Sequence, residues 1–251
     1  MIAKTLAAEA HAPSRRGPLL GTSLLLFVAS AAATLHWSRS MAGGMAMPGG
    51  WTLSMVWTLM PAQTWAGSGA RFVAMWLVMM VAMMLPPLLP MLASIPRNQL
   101  AALAGVGYFS VWALFGAAVY ALGSAVARTE LEWPAVARLV PLATGAALLV
   151  AGAVQLSAWK ARQLALCRAC GAPAGRSAKA NFLHGVRFGV NCSLCCIGLM
   201  AALLAGGMMN SAVVAAVAVA IASERLGPEF LARAIGAAVI TIGAVVLARA
   251  A

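Results

Sequence analysis

Long apolar runs, separated by short basic or glycine- and proline-containing segments, organise this chain. A helix needs about 20 apolar residues to cross roughly 30 Å of hydrocarbon. Runs of that kind fall at 18–36, 71–92, 100–126, 139–158 and 188–207, with a shorter one at 211–224 and a last at 231–248. The apolar stretch from 185 to 226 is too long for a single crossing. "GGMMN" at 206–210 is the turn that divides it, with a kinked helix and a re-entrant second half as the alternative. The pattern predicts an all-α fold: one polytopic transmembrane bundle of six to seven spanning helices, forming a single integral membrane domain over residues 1–251. Pro86, Pro87 and Pro90 are expected to kink or unwind the second span and free carbonyls that must find other partners.

Composition agrees with that pattern. Of 251 residues, 63% are hydrophobic, 9% are charged and none is aspartate, whereas soluble domains carry about 25% charged residues. The net charge of +12 does not indicate nucleic acid, because the basic residues flank apolar runs instead of gathering on one domain. Lys and Arg concentrate on the cytoplasmic side of membrane proteins. With the N-terminus in the cytoplasm, Lys4, Arg15, Arg16, Arg97, Lys160, Arg162, Arg168, Arg176, Lys179, Arg187, Arg225 and Arg233 fall on one side, 12 of the 17 basic residues. Arg39, Arg71, Arg128, Arg138 and Arg249 fall on the other. The basic, cysteine-containing connector 159–187 is therefore expected as a cytoplasmic loop, and the connector 37–70 as outward-facing. The membrane expected is a bacterial inner (plasma) membrane. The start, "RRGPLLGTSLLLFVASAAA", resembles a secretory signal, but its apolar run continues to Leu35 and is read as an uncleaved anchor.

All five cysteines lie between Cys167 and Cys196, in "CRAC" at 167–170 and "CSLCC" at 192–196. Two Cys-x-x-Cys pairs separated by 21 residues approach zinc-ribbon spacing. Four sulfurs could then close on one tetrahedral ion. On a helix, Cys192, Cys195 and Cys196 stand at i, i+3 and i+4 and share a face, with Met200 one i+4 step further on. If the span opens near 188, its free N–H groups and Arg187 would favour thiolate. Buried free cysteines are often only small hydrophobes, but polar groups at this density inside a membrane are functional by default.

Thioether sulfur is the second soft donor. "MWLVMMVAMMLPPLLPML", 75–92, holds six methionines, of which Met75, Met79 and Met83 follow i, i+4, i+8. Such a stripe is either core filler or a ladder for a soft ion. "HWSRSMAGGMAMPGG", 36–50, places His36, Met41, Met45 and Met47 in a glycine-rich loop with no core to fill. In an oxidising outer compartment, thioethers bind Cu(I) where free thiols would be lost to disulfides. A collecting role follows for Met41, Met45 and Met47.

These segments, with "CSLCCIGLM" and "GGMMN" followed by "SERLGP", resemble a family of predicted metal-binding integral membrane proteins, some members of which are called copper chaperones. The resemblance covers about residues 40 to 230. It implies a metal role for Cys167, Cys170, Cys192, Cys195, Cys196, Met200 and Met209. Leu194 and Ile197 stand where glycine and tryptophan are usual beside the double cysteine, and Glu224 is the only acid that could face the thiolates.

The reading is a non-enzymatic soft-metal protein acting in metal handling, delivery or transport. Its ion is Cu(I), with zinc as the alternative. Its partners are the metal ion, the lipid bilayer and a copper enzyme or chaperone, not nucleic acid. No Gly-x-x-x-x-Gly-Lys-Ser/Thr motif is present to power transport by ATP. Two other readings stand: a membrane thiol-disulfide oxidoreductase exchanging the two Cys-x-x-Cys pairs, and a zinc-stapled subunit of a larger complex.

Overall fold

The computed structural model describes residues 13–41, 43–59, 63–169, 175 and 177–250. Helix α1 (Pro13–Ser40) leads into a two-stranded hairpin, β1 (Gly44–Met47) and β2 (Trp51–Ser54), and a 3₁₀ turn at Met55–Trp57. Helices α2 (Trp65–Ser94), α3 (Asn98–Glu132), α4 (Pro134–Leu156), α5 (Ala158–Ala169), α6 (Ala178–Gly206), α7 (Ser211–Leu226) and α8 (Phe230–Ala250) follow. Six of these helices, α1 from Leu19 onward, α2, α3, α4, α6 and α8, are long and apolar enough to cross a membrane. Their outward faces carry bare apolar side chains such as Leu24, Leu25, Leu114 and Val150, a surface suited to lipid and not to water. The chain has the build of an integral membrane protein.

The run expected at 211–224 is α7, a helix of 16 residues, about 24 Å long and short of the hydrocarbon thickness. The "GGMMN" turn forms as expected. Gly207 closes α6 at φ +93°, a conformation that favours glycine. The Asn210 side chain then accepts from the N–H groups of Ala212 and Val213 to start α7. Arg168 on α5 donates to the carbonyls of Glu224 and Gly227, so α7 runs back through the bundle and ends beside α5.

Two local expectations are corrected, and a third in part. Helix α2 does not unwind at Pro86, Pro87 and Pro90 but stays helical through all three. Buried neighbours on both sides of the prolines, from Leu85 to Leu92, hold the backbone where the missing N–H groups would otherwise let it unwind. The connector 159–187 is largely helical, since α5 occupies its first part and α6 begins at Ala178 instead of 188. His36 lies in the last turns of α1, and the glycine-rich stretch after it is a hairpin, with Met45 opposite Leu53 and Met47 opposite Trp51.

Helices α2 and α6 are the most buried of the long helices. Helix α6 lies tightly on α3, because a Cβ at Gly107 or Gly185 would overlap the carbonyl of Phe182 or Ala104 on the facing helix. Small residues that let backbones meet are the usual seam between membrane helices. From the hairpin end inward, the core changes character. Phe72 packs on both Trp57 and Tyr120, its ring centre 5.2 Å from each. Trp76 follows, its indole donating to the Trp112 carbonyl at 3.1 Å. Next come Met79, Met80, Met83 and Met84, and then Cys192 and Cys196 of α6, all in one buried cluster with Leu199 and Met200.

Candidate metal centre

Three cysteines share one face of α6, as the i, i+3, i+4 spacing requires. Cys192, Cys195 and Cys196 are fully buried, and Cys167 reaches them from α5. Cys167 of α5 packs in one buried cluster with Cys195, and Cys192 and Cys196 belong to the adjoining cluster on the same face of α6. Four sulfurs from two helices thus form one contiguous group of free thiols. Cys192 Sγ and Tyr108 Oη of α3 share a hydrogen bond of 3.0 Å, and Met84 Sδ of α2 lies 4.0 Å from the same sulfur. Cys167 donates to the Asn191 carbonyl at 3.2 Å. Its bond to Cys195, and burial after that, push its thiol pKa well above the ordinary cysteine value. As they stand, no three His, Cys, Asp or Glu side chains among the described residues are arranged to hold a metal ion.

Beside the thiols lies a charged floor. Lys160 of α5 and Glu224 of α7 form an ion pair at 2.7 Å with 1% and 2% of their side chains exposed. Gln155 also donates to Glu224, and the Lys160 ammonium donates to the Cys195 carbonyl at 2.7 Å. Burial works against the Lys160 charge, but Cys195 and Glu224 outweigh it, so its pKa lies above the usual lysine value. Arg225 is also buried, with its guanidinium 5.3 Å from the centre of the Phe188 ring. Its Nε and one terminal nitrogen have no hydrogen-bond partner among the described residues. Leu164 and Ala232, which pack on Cys167 and Cys195, also wall a recess of about 210 Å³ lined by Arg168 and Arg233.

The methionines divide into three groups. Met41 and Met75 line a cavity of about 640 Å³ between α1, the hairpin and α2, together with Met55. Met75 and Met79 then meet Met208 and Met209 at a narrow cleft against α1. Met83 is buried in the same cluster as Met84, Cys192 and Cys196, and Met200 lies one turn beyond Cys196 in that cluster. Met45 is 44% exposed on the hairpin. Met47 departs from the expectation of an empty loop: it is buried with Leu53, Ala127 and Ala137. The α3–α4 corner supplies the core that a free loop would lack. Cys170 lies outside the described residues.

The comparisons can now be set beside this geometry. Residues 73–246 match the family PpoB2, described as a copper chaperone. The chain belongs to that family. No curated protein and no solved structure matches it. The matched segment of this PpoB2-family chain starts in α2 and contains every described cysteine. The α1 helix and the hairpin lie outside it.

Sequence reasoning found the thiols, Met200 and Glu224, but missed Met55, Met84, Met208, Tyr108, Lys160 and Arg225. Lys160 and Arg225 had been read only as flanking charges. The signal available was that Arg225 adjoins Glu224 at the end of an apolar run, where a charge must be paired or exposed. Arg187 does not take the part expected of it, since it is exposed while Arg225 is not. The helix-start argument for thiolate also falls, because α6 opens at Ala178 and Cys192 sits well inside it. Leu194 and Ile197 are outward-facing, so the family's usual residues there would leave the thiol packing unchanged.

Proposed function

We propose that the protein takes Cu(I) as cargo across or within the bacterial inner membrane and passes it to a copper enzyme or chaperone. The observation that carries this reading is the gathering of four buried thiols from α5 and α6, with a thioether, Met84, 4.0 Å from the Cys192 sulfur. Thiolate and thioether are the donors that select Cu(I), and loss of the thiol protons would free the sulfurs for it. The orientation proposed has the N-terminus and α5 in the cytoplasm and the hairpin outside, supported by the 12-to-5 division of the 17 basic residues.

In this reading Met41, Met45, Met55 and Met75 collect Cu(I) at the outer end. Met79 and Met83 lie between that cavity and Met84. Cys167, Cys192, Cys195 and Cys196, with Met200 behind them, retain the ion on the cytoplasmic side, and Cys170 completes the Cys-x-x-Cys pair. Neutral thioethers hold Cu(I) loosely enough to release it, whereas thiolates add charge and hold it longer.

The test is a Cu(I) titration of the purified, reduced protein in detergent against a Cu(I)-selective chelator. The parent should take at least one Cu(I) per chain, and changing Cys192 and Cys195 to serine should lower the affinity at least 100-fold. Unchanged affinity, or a parent that retains zinc and ignores Cu(I), overturns the proposal. In intact cells an impermeant thiol reagent should miss Cys167 and Cys170, and labelling from outside would reverse the orientation.

A further inference from the structure

Among the described residues no carboxylate pairs with Arg225. The chain has five acidic residues in all, and the neighbouring one, Glu224, is occupied by Lys160 and Gln155. Only 8% of Arg225 is exposed, and Nε and one terminal nitrogen find no acceptor among the described residues. The Phe188 ring at 5.3 Å offers a cation–π contact, which recovers only part of the cost of burying a charge. Phe188 packs on Tyr108 with ring centres 5.7 Å apart, and Tyr108 shares its hydrogen bond with Cys192, so the guanidinium lies on the thiol side of the core. Because Lys160 and Glu224 cancel, the metal-free chamber with its thiols protonated carries one uncompensated positive charge, on Arg225.

We infer that Arg225 is the counter-cation of a Cu(I)–bis-thiolate unit and sets the charge of the ion this chamber accepts. This inference rests on the Cu(I) reading above. Cu(I) with two thiolates carries a charge of −1, and two protons leave as it binds. With Arg225 the chamber total becomes zero. Zn(II) in the four-thiolate set would carry −2 and leave the chamber at −1. In a low-dielectric interior an uncompensated charge is costly, so a monovalent soft ion on two thiolates fits and a divalent ion on four does not. Arg225 is a positioning residue in this account: it acts through the thiolates and does not touch the metal.

The experiment uses the full-length purified protein and Cu(I) in chelator competition, with folding checked by circular dichroism and gel filtration. Arg225→Lys keeps the charge and should stay within about threefold of the parent. Arg225→Met should lose at least tenfold. The double variant Arg225→Met/Glu224→Gln frees the Lys160 charge to replace the missing one and should regain most of that loss. Glu224→Gln alone adds an uncompensated positive charge and should tighten Cu(I) binding, read on the folded fraction recovered by gel filtration; if Arg225→Met does not fold, Arg225→Gln takes its place and should show the same tenfold loss. A purely structural Arg225 would make the double variant no better than the single one. That result, or a Glu224→Gln variant that binds no more tightly than the parent, overturns the inference. A parent that binds no Cu(I) at all defeats the proposed function instead.

Discussion

The two ends of the bundle hold sulfur in opposite ways. At the hairpin end the donors are neutral thioethers on an open cavity, with Met41 and Met45 more than 40% exposed and aromatic rings beneath them. At the α5 end the donors are thiols with almost no exposure, set beside a lysine, a glutamate and an arginine that are themselves buried. An exposed neutral donor costs little to maintain and gives up its ligand readily. A buried group of ionisable donors costs a great deal unless every charge is matched. The difference teaches that the two ends should respond to substitution on different scales: the α5 end through electrostatics, the hairpin end through packing.

The largest effect is expected where a charge loses its partner. Glu224→Gln leaves Lys160 buried and unpaired, and removing one member of a buried ion pair costs about 3–5 kcal/mol. Thermal unfolding in detergent should show a clear fall in Tm, and the joint replacement Lys160→Met/Glu224→Leu should recover most of it. A Glu224→Gln protein as stable as the parent would mean that the floor is not held together by charge. An intermediate effect is expected at the hairpin. Met47→Ala should cost about 2 kcal/mol by opening a cavity, whereas Met45→Ala at its exposed position should stay within about 0.5 kcal/mol. Equal losses at the two sites would erase the distinction between a packing methionine and a collecting one. The smallest stability change is expected along α2, where Met75, Met79 and Met83 together exchanged for leucine keep volume and apolarity and should cost less than about 1.5 kcal/mol. Copper passage from the hairpin end to the thiols should nevertheless slow, as read by copper uptake in cells at limiting copper. Parental uptake would show these three to be filler.

The architecture was legible because apolar runs of spanning length leave few alternatives, and "GGMMN" carries both the glycine and the asparagine that a helix–turn–helix junction needs. The α6 thiol face was legible for the same reason: the spacing is periodic. What was not legible depends on contacts between distant segments. Lys160 and Glu224 lie 64 residues apart, and Tyr108 and Cys192 lie 84 apart, so no local pattern pairs them. Met47 and Met45 share a hairpin and a residue type, and only the α3–α4 corner, out of sight in the local sequence, decides which one is buried. Met84 was counted within the stripe but not singled out, because its position relative to Cys192 depends on how α2 and α6 sit together.

The glycine seam between α3 and α6 has a mechanical consequence. With backbone against backbone at Gly107 and Gly185, those two helices have almost no room to slide or roll, and Tyr108 and Cys192 ride on that stiff pair. Cys167 stands on α5, which is tied to its neighbours by side-chain bonds from Lys160, Arg168 and Cys167 itself. The chamber therefore has one jaw set by backbone contact and one held by side-chain bonds. If the thiols take an ion as proposed, the change in sulfur spacing it demands is expected to fall on α5, a helix of twelve residues, while the rest of the bundle keeps its shape.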